Sequence, residues 1–357
     1  MTTPSPPIQV EEDWPYLLAF LPEDLEESAR REEALVRCRN VPNAEVLLRM
    51  ALAYAVSDLS LKDVAAWAGG LGVATITGPG LFYRLRQAEG WLKHVLARVL
   101  DREALDRPAG WRLRVVDAMV INGPGATGTH WRAHVTVDPT TGGFQSVEIT
   151  DAGGGEGCGR HSFRAGDVVL GDRACATARG IHAVRQNEAH VVVRLNPRTI
   201  RLYEPRRKRI DLGAHEPRVP RVGLYEMQVA VPVPPEKTTK SHKPWKTEKA
   251  LAWLEARVVG ARTRTGEVIW LLTTLPSEQL PAAEVLILYR LRWQIEMLFK
   301  RLKSLLHLDT LPSRQGPTAR SWMLARFLAA ALAQQLADPN GALSPWGYNI
   351  HASGLHP

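Results

Sequence analysis

The sequence predicts a mixed α/β core preceded by an α-helical segment, and three observations carry that reading. Between Asn43 and Leu100 apolar residues recur at helical spacing. From Trp111 to Leu195 the pattern becomes β-rich runs separated by Gly and Pro, and from Ala282 helical periodicity returns. At 45% hydrophobic and 23% charged, the 357-residue chain has the composition of a globular protein, not of a disordered or collagenous one. Its 45 Lys plus Arg against 37 Asp plus Glu leave +8, which favours partners that carry negative charge, nucleic acid or an anionic membrane surface.

Residues 1–20 are Pro-rich and acidic and read as a flexible arm. Their Glu11, Glu12 and Asp13 do not fit a signal peptide. Helical pattern starts at Glu23. One helix follows Asn43, a second is capped by Ser60 and ends at Gly69-Gly70, and a third leaves the Gly78-Pro79-Gly80 turn and runs through Trp91 to Leu100. Short helices with a basic third member fit helix-turn-helix DNA binding, and fit a plain helical cap on the next domain as well.

The β-rich runs are Leu113–Ile121, Trp131–Asp138, Phe144–Thr150 and Asp167–Asp172, then a helix over Ala174–Val184 and a strand over Ala189–Leu195. After Asn196 come short strands, including Arg218–Pro232 and Leu254–Leu275, with the basic run Arg206–Arg209 and a Lys-rich loop over Glu236–Lys249. A helix is expected from Ala282 to about Leu306, a break at Pro312 and Gly316, and a last helix over about Ser321–Ala337. That last run is interrupted by Arg326, Gln334 and Gln335 and is shorter than the ~20 residues of a spanning helix, so no membrane partner is expected. The implied organisation is a flexible arm (1–20), a helical N-terminal domain (21–108), a mixed α/β core (109–195 and 276–310), a β-rich insertion (196–275) and a C-terminal helical segment (311–357). Cys38, Cys158 and Cys175 are odd in number and lack metal-ligand spacing, so they read as reduced thiols of a cytoplasmic protein.

Two acids stand out in the strands. Asp117 interrupts Val115-Val116 and Ala118–Ile121, and a buried carboxylate there requires a cation or a cationic side chain. Asp172 ends the apolar run Val168–Gly171, a place where site residues gather in α/β sheets and where turn and helix-capping acids also sit. On the helix beyond Ala282, at about 100° per residue, Tyr289, Arg292, Glu296 and Lys303 fall within an arc of roughly 60°, with Lys300 beside it. Leu288, Leu291, Ile295, Leu298, Phe299, Leu302 and Leu306 fill the neighbouring arc and should face the core. The competing reading is a solvated face with ion pairs Arg292–Glu296 and Glu296–Lys300.

Tyr-x2-Arg-x3-Glu-x6-Lys, as Tyr289, Arg292, Glu296 and Lys303, resembles the YREK signature of bacterial DDE transposases of the insertion sequence 4 family. The segments Val115–His134 and Val168–Cys175 are similar to those around that family's first and second catalytic Asp, although Ala118 and Met119 stand where a small polar pair is common. The resemblance implies an RNase H-like fold with a β-rich insertion, and Asp117, Asp172 and Glu296 as catalytic and metal-ligating residues. It makes the helical N-terminal domain a DNA-binding domain and the mixed α/β core the catalytic core. It implies Mg²⁺ or Mn²⁺, two ions, which suit hard oxygen ligands. It also implies double-stranded DNA as partner (element ends and target), a homodimer on DNA, and cut-and-paste chemistry, with a catalytically inactive or domesticated DNA-binding relic as the alternative. Tyr289, Arg292, Lys300 and Lys303 would contact DNA phosphate. Trp270 would stack a flipped base, against the reading of a core strand Trp. His130 and His134, four apart on a strand, would hydrogen-bond backbone or DNA rather than metal.

Overall fold

The computed structural model describes residues 14–15, 17–57, 59–102, 111–123, 125, 128–139, 143–197, 199–205, 208–235, 246–292, 300, 311–312 and 316–337. The β-rich runs form β1 (Arg112–Ile121), β2 (Trp131–Val137), β3 (Phe144–Asp151), β4 (Asp167–Gly171) and β5 (His190–Arg194). They are arranged β3-β2-β1-β4-β5, with β1, β4 and β5 parallel and β2 antiparallel to both of its neighbours, β1 and β3. β4 is buried at every position, as a near-continuous apolar strand in a sheet covered on both faces should be. This is the expected mixed-sheet core of RNase H-like architecture.

The β-rich segment continues that sheet. β6 (Leu202–Tyr203), β7 (Arg209–Ile210), β8 (Tyr225–Val233), β9 (Ala252–Arg262) and β10 (Val268–Thr273) complete a ten-stranded order β3-β2-β1-β4-β5-β10-β9-β8-β6-β7. β10 runs antiparallel to β5, with Leu272 opposite Val193, so the edge that β5 would expose is covered by the insertion. The basic pair Arg206-Arg207 and residues 236–245 of the expected mobile loop lie outside the described residues.

Among the described residues, the helices that precede the sheet include α1 (Leu25–Arg31), α2 (Ala44–Val56), α3 (Leu61–Gly70), α4 (Gly78–Gln87) and α5 (Glu89–Arg102). The starts of α2, α3 and α4 carry side-chain caps, and Gly78-Pro79-Gly80, expected as a turn before the third helix, is instead the first turn of α4. Asn43 accepts from the Val46 amide at 2.9 Å, Ser60 and Asp63 form a capping box, and Thr77 accepts from the Gly80 amide with Pro79 in the first turn. The single third helix expected to Leu100 is instead two, separated at the fully buried Ala88. The arm is also pinned in part: Trp14 is buried, its indole N–H donates to Glu45 at 2.7 Å, and the Arg49 guanidinium lies 5.6 Å from its ring and 5.5 Å from that of Trp67. Residues 1–13 lie outside the described residues.

α6 (Ala178–Gln186) covers the face that carries Val169, Val191 and Val258, starting later than the Ala174 expected because Thr177 caps it. On the other face, α7 (Ala282–Arg290) packs Val285 and Leu288 into a core shared with β1, β2 and the N-terminal helices. The last helix, α8 (Gly316–Ala337), begins a full turn before Ser321 and returns to those helices. Ser321 Oγ donates to the Leu85 carbonyl at 2.6 Å, Gln335 Nε2 to the Val99 carbonyl at 3.1 Å, and Phe327 meets Phe144 of β3 edge to face at 5.8 Å. No helix among the described residues is long and apolar enough to cross a membrane.

At the N-terminal end of β1 and β4 lies a buried ion cluster. Arg112 and Arg114 reach Asp167 at 2.9 and 3.3 Å, Arg114 is 3.7 Å from Asp138, and both acids are almost inaccessible. Asp167 also accepts from the Arg164 amide at 2.7 Å. Removing one partner of such a cluster leaves an uncompensated buried charge. Asp167→Ala is therefore expected to lower unfolding stability by about 3–5 kcal/mol, read by urea denaturation, and a loss under about 1 kcal/mol would mean the cluster is solvent-screened.

Candidate active site

β1 and β4 pair in parallel with Arg112 opposite Asp167 and Val115 opposite Leu170. Two residues further along that register, Asp117, in the middle of β1, is level with Asp172, which directly follows β4, and both acids lie on the face toward α7. Local bonds fix them: Asp117 Oδ1 accepts from the Ala118 amide and Asp172 Oδ1 from the Ala174 amide, each at 2.8 Å. Asp117 is about one-quarter exposed. Its carboxyl is pushed up to about 6, mainly by burial, with the Asp172 and Glu156 charges adding to it and the Ala118 amide and Arg292 opposing.

Arg292 supplies the cation that a carboxylate on a buried strand demands. Its Nη1 lies 3.7 Å from Asp117 Oδ2, and its guanidinium carbon lies 5.8 Å from the Tyr289 ring. Burial pushes the Tyr289 hydroxyl up, while Arg292 and then Arg194 oppose and Asp172 adds to the rise. The two expected acids and two of the four signature residues therefore come together. The helix expected to run to Leu306 ends instead at Arg290, where the Leu291 and Arg292 amides bond to the Leu288 and Tyr289 carbonyls, three residues back. Glu296, Lys303 and Leu306 lie outside the described residues, and Lys300 is exposed.

Other candidates fall elsewhere. Trp270 is 5% exposed, its ring so close to Gly260 that a Cβ there would meet ring carbons at 2.5 Å, and it contacts Tyr225 edge to face. It is a core residue of the sheet, not a platform for a flipped base. His130 precedes β2 instead of lying on it, and His134 is buried against Thr150 at 2.9 Å. Two participants escaped the sequence reading. Glu156, paired with Arg132 at 3.2 Å, bears on Asp117, and Arg194 ends β5 beside Tyr289. Arg194 was discoverable, since it ends the next parallel strand after the one that Asp172 follows; Glu156 sits in a Gly-rich loop with no periodicity to mark it.

Gly171, just before Asp172, has a structural reason. A Cβ there would meet Cys175 Cβ at 2.5 Å and Sγ at 2.8 Å. Cys175 and Cys158, far apart in sequence, converge under the site, both buried and both free. The Cys175 thiol is pushed well up by its hydrogen bond with Cys158 and by burial, so it is an inert packing thiol.

The acids suit a divalent ion. Two carboxylates held level, with mutual repulsion raising the Asp117 carboxyl, form a hard-oxygen donor set that a cation would relieve. Among the described residues no group of three or more His, Cys, Asp and Glu side chains is placed to hold a metal, so a complete set requires a further ligand.

A 3-2-1-4-5 sheet with one acid in the middle of β1 and a second, level with it, just past the end of β4 is the framework of a nucleic-acid-processing enzyme. Residues 109–332 match the family described as "Transposase DDE domain". The chain belongs to the DDE transposase family, whose members depend on divalent metal. It is 35% identical over 355 residues to the InsL protein of insertion sequence element IS186A of Escherichia coli strain K12, covering 92% of this chain and 95% of the relative. Identity to the transposase for insertion sequence element IS421 of Escherichia coli is also 35%, over 356 residues and the same shares. A solved piggyBac transposase synaptic complex with hairpin DNA aligns with 90% of this chain and 72% of that chain, at 7% identity and a TM-score of 0.45.

Gly171→Ala is expected to cost about 1–3 kcal/mol, the range for overpacking, and to displace Asp172; thermal unfolding checks the first and metal affinity the second. A second expectation concerns His161, whose Nδ1 lies 2.8 Å from Thr136 Oγ1. Burial, with the His134 and Arg160 charges, lowers it from 6.5 to about 4. The unfolded chain then takes up the proton first, so stability present above pH 6.5 drains as pH falls toward 4, by roughly 3 kcal/mol in full. Unfolding midpoints at pH 7 and pH 4.5 should differ less in His161→Asn than in the wild type, and an equal difference would sink the assignment.

Proposed function

We propose that this chain is a transposase of the insertion sequence 4 family that binds the terminal inverted repeats of its element as a homodimer, cuts them and joins them to target DNA. The observation that carries the reading is the levelling of Asp117 with Asp172 beside Arg292. Asp117, Asp172 and Glu296 would hold two Mg²⁺ or Mn²⁺ ions. When bound, such ions supply Lewis-acid activation of a water or 3′-hydroxyl and charge neutralisation at the leaving oxygen.

The chain's own residues do the rest. The Ala118 and Ala174 amides hold the two carboxylates in place, so little reorganisation is needed when the substrate arrives. Arg292, which compensates Asp117 in the absence of substrate, turns its fork to phosphate oxygens once Asp117 has another cation. Tyr289 keeps its proton, because burial disfavours the phenolate, and donates it in a hydrogen bond to the same backbone. Lys300 and Lys303 extend the positive track beyond the cut, and the N-terminal helices bind the repeats. In this reading a water oxygen attacks the phosphodiester and the 3′ oxygen leaves as a hydroxyl. That hydroxyl then attacks a target phosphodiester, so one bond forms for each that breaks and no covalent enzyme intermediate arises.

The test is incubation of the wild type, Asp117→Ala and Glu296→Ala with a labelled duplex carrying the repeats that flank the gene, with and without Mg²⁺. Metal-dependent cleavage at the repeat end by the wild type alone is expected, each variant falling by about 10³-fold or more while still binding. Binding without cleavage by all three would instead identify a DNA-binding relic.

A further inference from the structure

Among the described residues, one of the most deeply buried charged side chains lies away from the site. Arg257, in the middle of β9, is 1% exposed, and every arm of its guanidinium is engaged. Nε donates to the Leu275 carbonyl at 2.7 Å, and Nη2 donates to the Pro276 carbonyl at 3.4 Å and to the Leu280 carbonyl. Nη1 lies 2.5 Å from Glu226 Oε1 of β8, a carboxylate one-third exposed. A guanidinium is costly to bury, and an aliphatic side chain would fill this place more cheaply if packing were the only requirement.

What the guanidinium holds is the turn that launches α7. Leu275 follows β10, Leu280 stands two residues before Ala282, and the residue preceding α7, Pro281, offers no side-chain cap. The start of α7 is therefore fixed from outside, by three carbonyls gathered on one side chain of the neighbouring insertion strand. The far end of α7 carries Tyr289 and leads directly to Arg292, 3.7 Å from Asp117. A rigid nine-residue helix passes any shift at its start to its end.

We infer that Arg257 is a positioning residue for the reaction: through the Leu275–Leu280 turn it sets where α7 presents Tyr289 and Arg292 to the two aspartates, with Glu226 as its charge partner. This rests on the transposase reading only for its catalytic readout. Lysine keeps the charge and the Glu226 contact but, as a point donor, cannot gather three carbonyls and a carboxylate.

The experiment compares full-length wild type, Arg257→Lys and Glu226→Gln with Tyr203→Phe, which removes a 3.0 Å hydrogen bond to Thr247 elsewhere in the insertion. Hydrogen exchange is followed peptide by peptide, together with cleavage and binding of the repeat duplex. In Arg257→Lys, amides of Ala282–Arg290 are expected to exchange about tenfold faster while β2 and β3 keep wild-type rates, and kcat to fall by up to about 100-fold with duplex affinity within about twofold, the scale of a 1 Å misplacement. Glu226→Gln should show the same local pattern more weakly, which serves if Arg257→Lys does not fold, and Tyr203→Phe should leave α7 unchanged. Uniformly faster exchange across the sheet, or unaltered exchange at α7 with unaltered cleavage, would overturn the inference. If the wild type proves unable to cut while exchange still rises only at α7 in Arg257→Lys, the transposase reading fails and the positioning of α7 by Arg257 stands.

Discussion

Two carboxylates on different strands meet only in one register of those strands, and here the register is the parallel pairing of β1 with β4. Slipping it by one residue would turn one Asp to the opposite face, because side chains alternate along a strand. The pairing is held at the end away from the site by Arg112, Arg114, Asp138 and Asp167, whose buried charges can be compensated only when β1, β2 and β4 align as they do. Apolar packing of Val168, Leu170 and Val115 tolerates small slips, whereas a buried ion cluster does not. The sheet thus separates its two jobs: one end is locked by satisfied charge, and the other carries acids left to attract a cation.

The electrostatics of that second end follow from the same geometry. Asp117, Asp172 and Glu156 bring negative charge to the strand ends, and Arg292 and Arg194 stand across from them on α7's side and on β5. Burial first, and then the neighbouring acids, raises the Asp117 carboxyl even with Arg292 beside it to oppose the rise. The same guanidinium suits phosphate oxygens as well as a carboxylate, so an arginine serves this place better than a lysine.

Much of this was legible in the sequence, for identifiable reasons. β1 to β5 stand out as β-branched runs between Gly and Pro, and the α2, α3 and α4 starts are marked by capping residues whose bonds are local. Asp117 was conspicuous because a charge inside an apolar strand costs free energy unless something answers it. Long-range decisions were not legible. Nothing in Ala88 announces the break between α4 and α5, which only its burial among the other helices requires. Periodicity carries smoothly through Arg290, so the end of α7 was invisible. The convergence of Cys158 with Cys175 joins a loop to the segment after β4 and has no local mark, whereas the burial of Trp270 agrees with the reading of a core strand Trp. Glu296 and Lys303 were read from spacing alone and stand on that footing.

The sheet's continuity through the insertion changes how the site is best understood. An insertion folded apart from the core would leave α7 to be placed by its own packing on β5 and β10. Here β8, β9 and β10 are further strands of the same sheet, each antiparallel to its neighbour from β5 outward, and β10 runs straight into the turn before α7. The acids and Arg194 are therefore set by the parallel half of the sheet, and Arg292, through the turn before α7, by the antiparallel half. Relative placement of the two halves rests on the β5–β10 pairing, where Val192, Val193 and Arg194 face Thr273, Leu272 and Leu271. Arg194 belongs both to that seam and to the site, so a shift between the halves changes the distance between cation and carboxylate before it disturbs the core. Among the described residues the insertion thus bears on the placement of Tyr289 and Arg292 through the turn before α7, while Asp117 and Asp172 both stand on the parallel strands.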